Sequence, residues 1–166
     1  MASTPGLGTT VSLLLPVARD GDASAPPLRA THDNLPSIIG ASVLLVEDDD
    51  VLGDVTTALL IAHGAKVLRA GHVDAALRLL DTPGVKPDVV LTDVVMPGGR
   101  DGVALARLLR TQRPELPVVL ITGFTNTAIA EGEFTVLHKP CPPAEMLATL
   151  QRAMAPGRRK PQGHGA

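Results

Sequence analysis

The 166-residue chain carries 15 Lys and Arg against 17 Asp and Glu, a formal net charge of −2, with 45% hydrophobic residues and a mean hydropathy of +0.22. This near-balance argues against whole-molecule attraction to nucleic acid or anionic lipid, and two aromatics, Phe124 and Phe134, are too few for a base-stacking platform. The single cysteine, Cys141, excludes an internal disulfide and a cysteine-cluster metal site, and fits a reducing cytoplasm.

Residues 1–18 contain the apolar run Val11–Val17, interrupted by Ser12 and Pro16. It falls short of the roughly 18 apolar residues of a membrane span, and no basic residue precedes it as in an export signal. A cytoplasmic protein with no membrane contact is therefore expected. Residues 19–40 are dominated by Asp, Gly, Ala, Ser, Pro and Thr and read as a flexible linker. Residues 156–166, with Arg158, Arg159 and Lys160, read as a short basic, disordered tail.

The middle, 41–155, is acidic, with 10 basic and 14 acidic residues, and alternates two kinds of segment. Short apolar, β-branched runs occur at 43–46, 66–68, 89–92, 118–121 and 134–137, each the length of a strand buried on both faces of a parallel sheet. Between them lie amphipathic helical patterns. The first places Val51, Val55, Leu59 and Ala62 on its apolar face and stops before Gly64. Further patterns carry Val73, Ala76, Leu77 and Leu80, then Val103, Leu105, Ala106, Leu108 and Leu109; a last one starts near Pro143. Strand–helix alternation of this kind predicts an α/β fold with right-handed crossovers. Between Thr122 and Phe134 there is room for only a short or irregular fourth helix.

In such a sheet, functional groups gather beyond the carboxyl ends of the strands. The first core strand runs into Glu47-Asp48-Asp49-Asp50, the third ends at Asp93, the fourth at Thr122 and the fifth at Lys139-Pro140. Converging carboxylates repel one another and are relieved by a cation. Hard oxygen ligands in small number suit Mg²⁺. With Mg²⁺ and Lys139 offsetting the charge, one carboxylate can attack phosphorus and form an aspartyl phosphate. Asp93, alone at the end of a central strand, is the candidate nucleophile. Asp49 or Asp50 reads instead as the cap of the helix that follows.

The residues Val43-Leu-Leu-Val-Glu-Asp-Asp49, Asp93-Val-Val-Met-Pro97 with Gly98-Gly-Arg-Asp-Gly102, Ile121-Thr122-Gly123 and His138-Lys139-Pro140 resemble a two-component response-regulator receiver domain in order and near-family spacing. The resemblance covers about 41–155 and implies a flavodoxin-like (βα)5 fold, a parallel five-stranded sheet of order 2-1-3-4-5. It implies that Asp93 is the phosphoacceptor, that Asp48, Asp93 and the Val95 backbone carbonyl hold Mg²⁺, and that Glu47 acts through water. Thr122 then senses the phosphoryl group and Lys139 pairs with its oxygens. The implied partner is a histidine kinase or histidine phosphotransfer protein. The implied activity is autocatalysed phosphorylation with signalling through protein–protein contacts, not turnover of an independent substrate.

Two departures stand out. Family members often carry Tyr or Phe three residues before the lysine; here it is Val136, and the nearest aromatic is Phe134. The stretch from Thr122 to Lys139 is also several residues shorter than usual, so the usual output face is not assured. These leave open a phosphorylation-independent interaction module. A haloacid-dehalogenase-type phosphatase usually has a second Asp two residues after its nucleophile, and here Val95 occupies that place. Upstream, residues 5–16, with Gly6-Leu-Gly8-Thr9 followed by an apolar strand and Pro16, resemble the end of a histidine-kinase ATP-binding domain. That implies the layout of a hybrid kinase's C-terminal piece: remnant at 1–18, linker at 19–40, receiver at 41–155. One strand cannot make a nucleotide site, so no complete kinase domain is expected here, and the strand alone should be disordered or loosely docked. Cys141 reads as a packing residue. His32, His63, His72 and His164 lack metal-ligand spacing, and His138 lacks the helical setting of a phosphohistidine.

Overall fold

The computed structural model describes residues 2–4, 8–10, 12, 14, 36–96, 101–123, 129–130 and 132–155. The chain divides into two units, 1–32 and 33–166. In the first, β1 (Ala2–Thr4) pairs antiparallel with β2 (Gly8–Thr10), Thr4 opposite Gly8 and Ala2 opposite Thr10. Gly8 has a φ of 98°, a left-handed conformation open to glycine at little cost. Pairing thus falls earlier than the expected apolar strand. Among the described residues the ladder reaches Ala2 and Thr10, and Ser12 and Leu14 lie outside any strand; Val11, Leu13 and Leu15 of the expected apolar strand lie outside the described residues. The remaining expectations for 15–35 and 156–166 lie outside the described residues.

The second unit runs β3 (Ser42–Val46), α1 (Asp50–Ala62), β4 (Lys66–Ala70), α2 (Val73–Asp81), β5 (Val89–Asp93), α3 (Gly102–Gln112), β6 (Val118–Thr122), β7 (Thr135–His138) and α4 (Pro143–Met154). Its five strands are all parallel, in the order β4-β3-β5-β6-β7. Counted within the unit, this is the expected order 2-1-3-4-5.

The two-residue period of the strands splits the core. Val43, Leu45, Val89, Leu91, Val119 and Ile121 face one side, where they meet Leu60 of α1 and Met146, Leu147 and Leu150 of α4. Leu44, Val46 and Val90 face the other, against Ala76 and Leu80 of α2 and Leu105 and Leu109 of α3. Each central strand therefore carries an unbroken apolar run of three or four residues, as burial on both faces requires, with polar residues only at its ends. The ordered domain begins ahead of residue 41. Ile38, expected within the linker, is 3% exposed in the core, and its N–H donates to the His63 carbonyl at 3.2 Å.

Helix starts follow local chemistry. Asp49 accepts from the Leu52 N–H at 2.9 Å and Asp101 from the Ala104 N–H at 2.7 Å, while Pro143 opens α4, where its missing N–H costs nothing. The buried face of α1 differs from expectation. Val51 and Val55 are 75% and 62% exposed and Ala62 faces solvent, whereas Gly53, Thr56 and Leu60 are buried. This helix is apolar nearly all round, so periodicity alone does not choose its face. The small residues at 53 and 56 let that side approach the sheet.

Between β6 and β7 the described residues form no helix; residues 124–128 and 131, where the short fourth helix was expected, lie outside them. The end of this crossover is pinned to α3. Glu133 accepts from Arg107 at 2.8 and 3.0 Å, and the Arg110 guanidinium stands 5.0 Å from the centroid of the Phe134 ring. The Arg107 hydrogen bond holds the Glu133 carboxyl down to about 2.

Two measurements check this packing. Leu60→Ala should cost about 2–5 kcal/mol in urea unfolding, while Val55→Ala should change stability by no more than about 0.5 kcal/mol. In a carboxyl NMR titration Glu133 should titrate near 2 and return toward 4.5 in Arg107→Ala. Because its folded value lies below its unfolded one, the pair's contribution is complete above pH 4.5 and is lost as pH falls toward 2.

Candidate functional site

Parallel order brings the carboxyl ends of β3, β5, β6 and β7 to one edge. Beyond β3, the Glu47 N–H donates to the Ala70 carbonyl of β4 at 3.0 Å, which turns its side chain, 3% exposed, into the site. Asp48 follows and is exposed. Asp93 is the last residue of β5, 9% exposed. The Lys139 N–H donates to the Thr122 carbonyl at 2.8 Å, seating the lysine stem over the end of β6.

From there the Lys139 ammonium donates to Asp93 Oδ2 at 2.6 Å and to Glu47 Oε2 at 3.1 Å. Carboxylate oxygens of Glu47, Asp48 and Asp93 lie within 4.8 Å of one another, the one such group among the described residues. Three carboxylates against one ammonium leave two negative charges over. That excess, offered by hard oxygens at a solvent-open edge, fits a divalent cation. Burial raises the Glu47 carboxyl, and the charge of Asp93 adds to this, against the pull of Lys139. Burial works to lower Lys139, but its hydrogen bonds to Asp93 and Glu47 prevail and raise it.

The site residues named from the sequence thus fall as follows. Glu47, Asp48, Asp93 and Lys139 converge. The Val95 N–H donates to Asp93 Oδ1 at 3.2 Å, so the loop after β5 folds back on the aspartate. Thr122 is 1% exposed at the end of β6. Asp49 is the cap of α1, and Asp50 pairs with Arg69 at 2.9 Å. Cys141 packs beside the core, and burial pushes its thiol up. His63 Nδ1 bonds the Leu59 carbonyl at 2.8 Å, and His72 Nδ1 accepts from the Ala75 N–H at 3.1 Å, so both serve helix ends. Where the family often has an aromatic, Val136 packs with Phe134 against Val94, Val103, Ala106 and Leu120.

Sequence reasoning included Gly102 in a motif but missed what it does. A Cβ there would overlap the Asp93 carbonyl, lying 2.9 Å from its carbon and 3.0 Å from Thr92 Oγ1. The only signal was the glycine's place at a helix start, next to a capping aspartate.

Fold and site together define a doubly wound α/β domain with an acidic, cation-competent cluster and a bridging lysine at the strand ends. Residues 43–151 match the model of the response regulator receiver domain. The chain belongs to the response-regulator receiver family of two-component signalling. It is 29% identical over 162 residues to sensor kinase CckA of Brucella abortus, an alignment covering 92% of this chain and 17% of that protein. To the C4-dicarboxylate transport transcriptional regulatory protein DctD of Pseudomonas aeruginosa it is 39% identical over 119 residues, 68% of this chain and 25% of that one. The chain therefore spans a quarter or less of these curated relatives. The receiver domain of the hybrid histidine kinase CckA superposes with a TM-score of 0.59 at 29% identity, over 69% of this chain and 100% of that one. A receiver domain protein from Clostridium thermocellum does so at 0.62 and 27% identity, over 69% and 94%. No helix among the described residues is long and apolar enough to cross a membrane.

Replacing Gly102 by Ala should destabilise the fold by about 1–3 kcal/mol or more, because the Asp93 carbonyl it meets is backbone and cannot swing aside. Urea denaturation measures this.

Proposed function

We propose that Asp93 accepts a phosphoryl group from a phosphohistidine and that Glu47, Asp48 and Asp93 make the reaction dependent on Mg²⁺. The observation that carries this reading is Lys139 bridging Asp93 and Glu47 beside a third carboxylate. Asp48, Asp93 and the Val95 carbonyl would hold the metal, with Glu47 acting through water. Bound Mg²⁺ supplies positive charge to the phosphoryl oxygens.

The chain's own groups do the rest. A carboxylate oxygen of Asp93 forms the new O–P bond as the P–N bond to the donor imidazole breaks, and that nitrogen keeps the electron pair. The Val95 N–H and the Lys139 ammonium hold the two oxygens of Asp93 and so set the face it presents. As carboxylate charge passes to the phosphoryl group, Lys139 can follow it with little movement. Thr122, buried at the next strand end, supplies a hydroxyl donor toward the same space.

The partner is then a histidine kinase or a histidine phosphotransfer protein. The alignment with a sensor kinase over 92% of the chain supports this. It also supports reading 1–18 as the end of an ATP-binding domain joined through 19–40 to the receiver.

Incubation with Mg²⁺ and acetyl phosphate, followed by intact mass spectrometry, tests the proposal. A single acid-stable, base-labile phosphoryl adduct is expected, absent in Asp93→Asn and without Mg²⁺. No adduct on the parent protein overturns it.

A further inference from the structure

Arg69 is the fourth residue of the edge strand β4, and its guanidinium lies across the backbone of Gly53 in α1. A Cβ at position 53 would come 2.5 Å from Arg69 Cζ, so the guanidinium occupies the space a side chain there would fill. From this seat Nη2 donates to the Asp50 carboxylate at 2.9 Å, to the Asp50 carbonyl at 3.2 Å and to the Asp49 carbonyl at 3.4 Å. Nη1 pairs with Asp54. The next residue of the strand, Ala70, takes the Glu47 N–H. Two consecutive residues of β4 thus grip the chain at 47 and at 49–50, on either side of Asp48.

Asp48 depends on that grip. Its side chain is exposed and has no hydrogen-bond or ion-pair partner among the described residues, so its position is inherited from its neighbours. The ion pairs of Arg69 are with carboxylates 96% and 78% exposed, and pairs of that kind add little to stability. The two carbonyl bonds and the fit over Gly53 are geometric.

The geometry points to Arg69 as a positioning residue for Asp48: its guanidinium, seated on Gly53, fixes the 47–50 segment so that Asp48 meets a cation together with Glu47 and Asp93. This rests on the Mg²⁺ site proposed above and adds to it a residue that touches neither metal nor phosphoryl group. Lysine cannot replace the fork, because a single ammonium on a flexible stem does not hold two carbonyls and two carboxylates at once.

Mg²⁺ affinity of the full chain by isothermal calorimetry tests it, in the parent and in Asp48→Asn, Arg69→Lys, Arg69→Gln and Gly53→Ala. Arg69→Lys and Gly53→Ala both keep the charge, and both should raise the Mg²⁺ dissociation constant about 10-fold, as for groups that orient metal ligands. In an Arg69→Gln background, Gly53→Ala should add no further loss. Without metal, in excess EDTA, amide exchange at Leu52 and Gly53 should quicken in Arg69→Lys. Parent affinity and exchange in Arg69→Lys, with Mg²⁺ binding tightened in Arg69→Gln, would mean that Arg69 is only a nearby charge and would overturn the inference while leaving the site intact. If Gly53→Ala does not fold, the two Arg69 variants decide. No Mg²⁺ binding by the parent, or full binding by Asp48→Asn, overturns the site reading and this inference with it.

Discussion

The Lys139 ammonium, shared between Asp93 and Glu47, is the contact on which the functional edge depends. Glu47 and Asp93 are nearly buried, and Lys139 gives both carboxylates a positive partner there. Lys139 follows β7, and β6 stands between that strand and β5. Two strand spacings are roughly 10 Å, so only a long side chain crosses them. The backbone bond from Lys139 to the Thr122 carbonyl anchors the stem over the intervening strand. One cation therefore ties four strand ends together, and the sheet order makes this possible.

Much of this was legible in the sequence because the signals reinforced one another. The buried strands carry unbroken apolar runs, which separates them from amphipathic helices, and their polar ends are short and distinctive. Asp49 or Asp50 announced the start of α1 by residue type, and the structure gives that role to Asp49. The α1 face was not legible: Val51, Val55 and Ala62 keep helical spacing as well as Leu60 does, and only the groups opposite them decide which side turns inward. Gly53, Gly102 and Arg69 were hidden for a related reason. Each owes its role to a residue distant in sequence, and periodicity carries no trace of such pairs.

The crossover from β6 to β7 is where the chain departs from the family pattern. Phe134 packs beside Val136 against α3 residues Val103 and Ala106, with Arg110 over its ring and Arg107 on the neighbouring Glu133. Phe134 stands at the entrance of β7, and charged groups of α3 hold it there. Its ring and the neighbouring Glu133 make a clasp between the crossover and α3.

The contact of Gly102 with the end of β5 has a consequence for chain length. The Gly102 N–H also donates to the Val94 carbonyl at 3.0 Å, so the chain leaves the strand at Val94 and returns to touch it at Gly102. The connection between these two residues is thus closed at its ends, as a ring is. For such a ring, even a doubling of length adds only about 0.6 kcal/mol of closure entropy. A change of length between the two ends should therefore leave the end of β5 and the start of α3 in place.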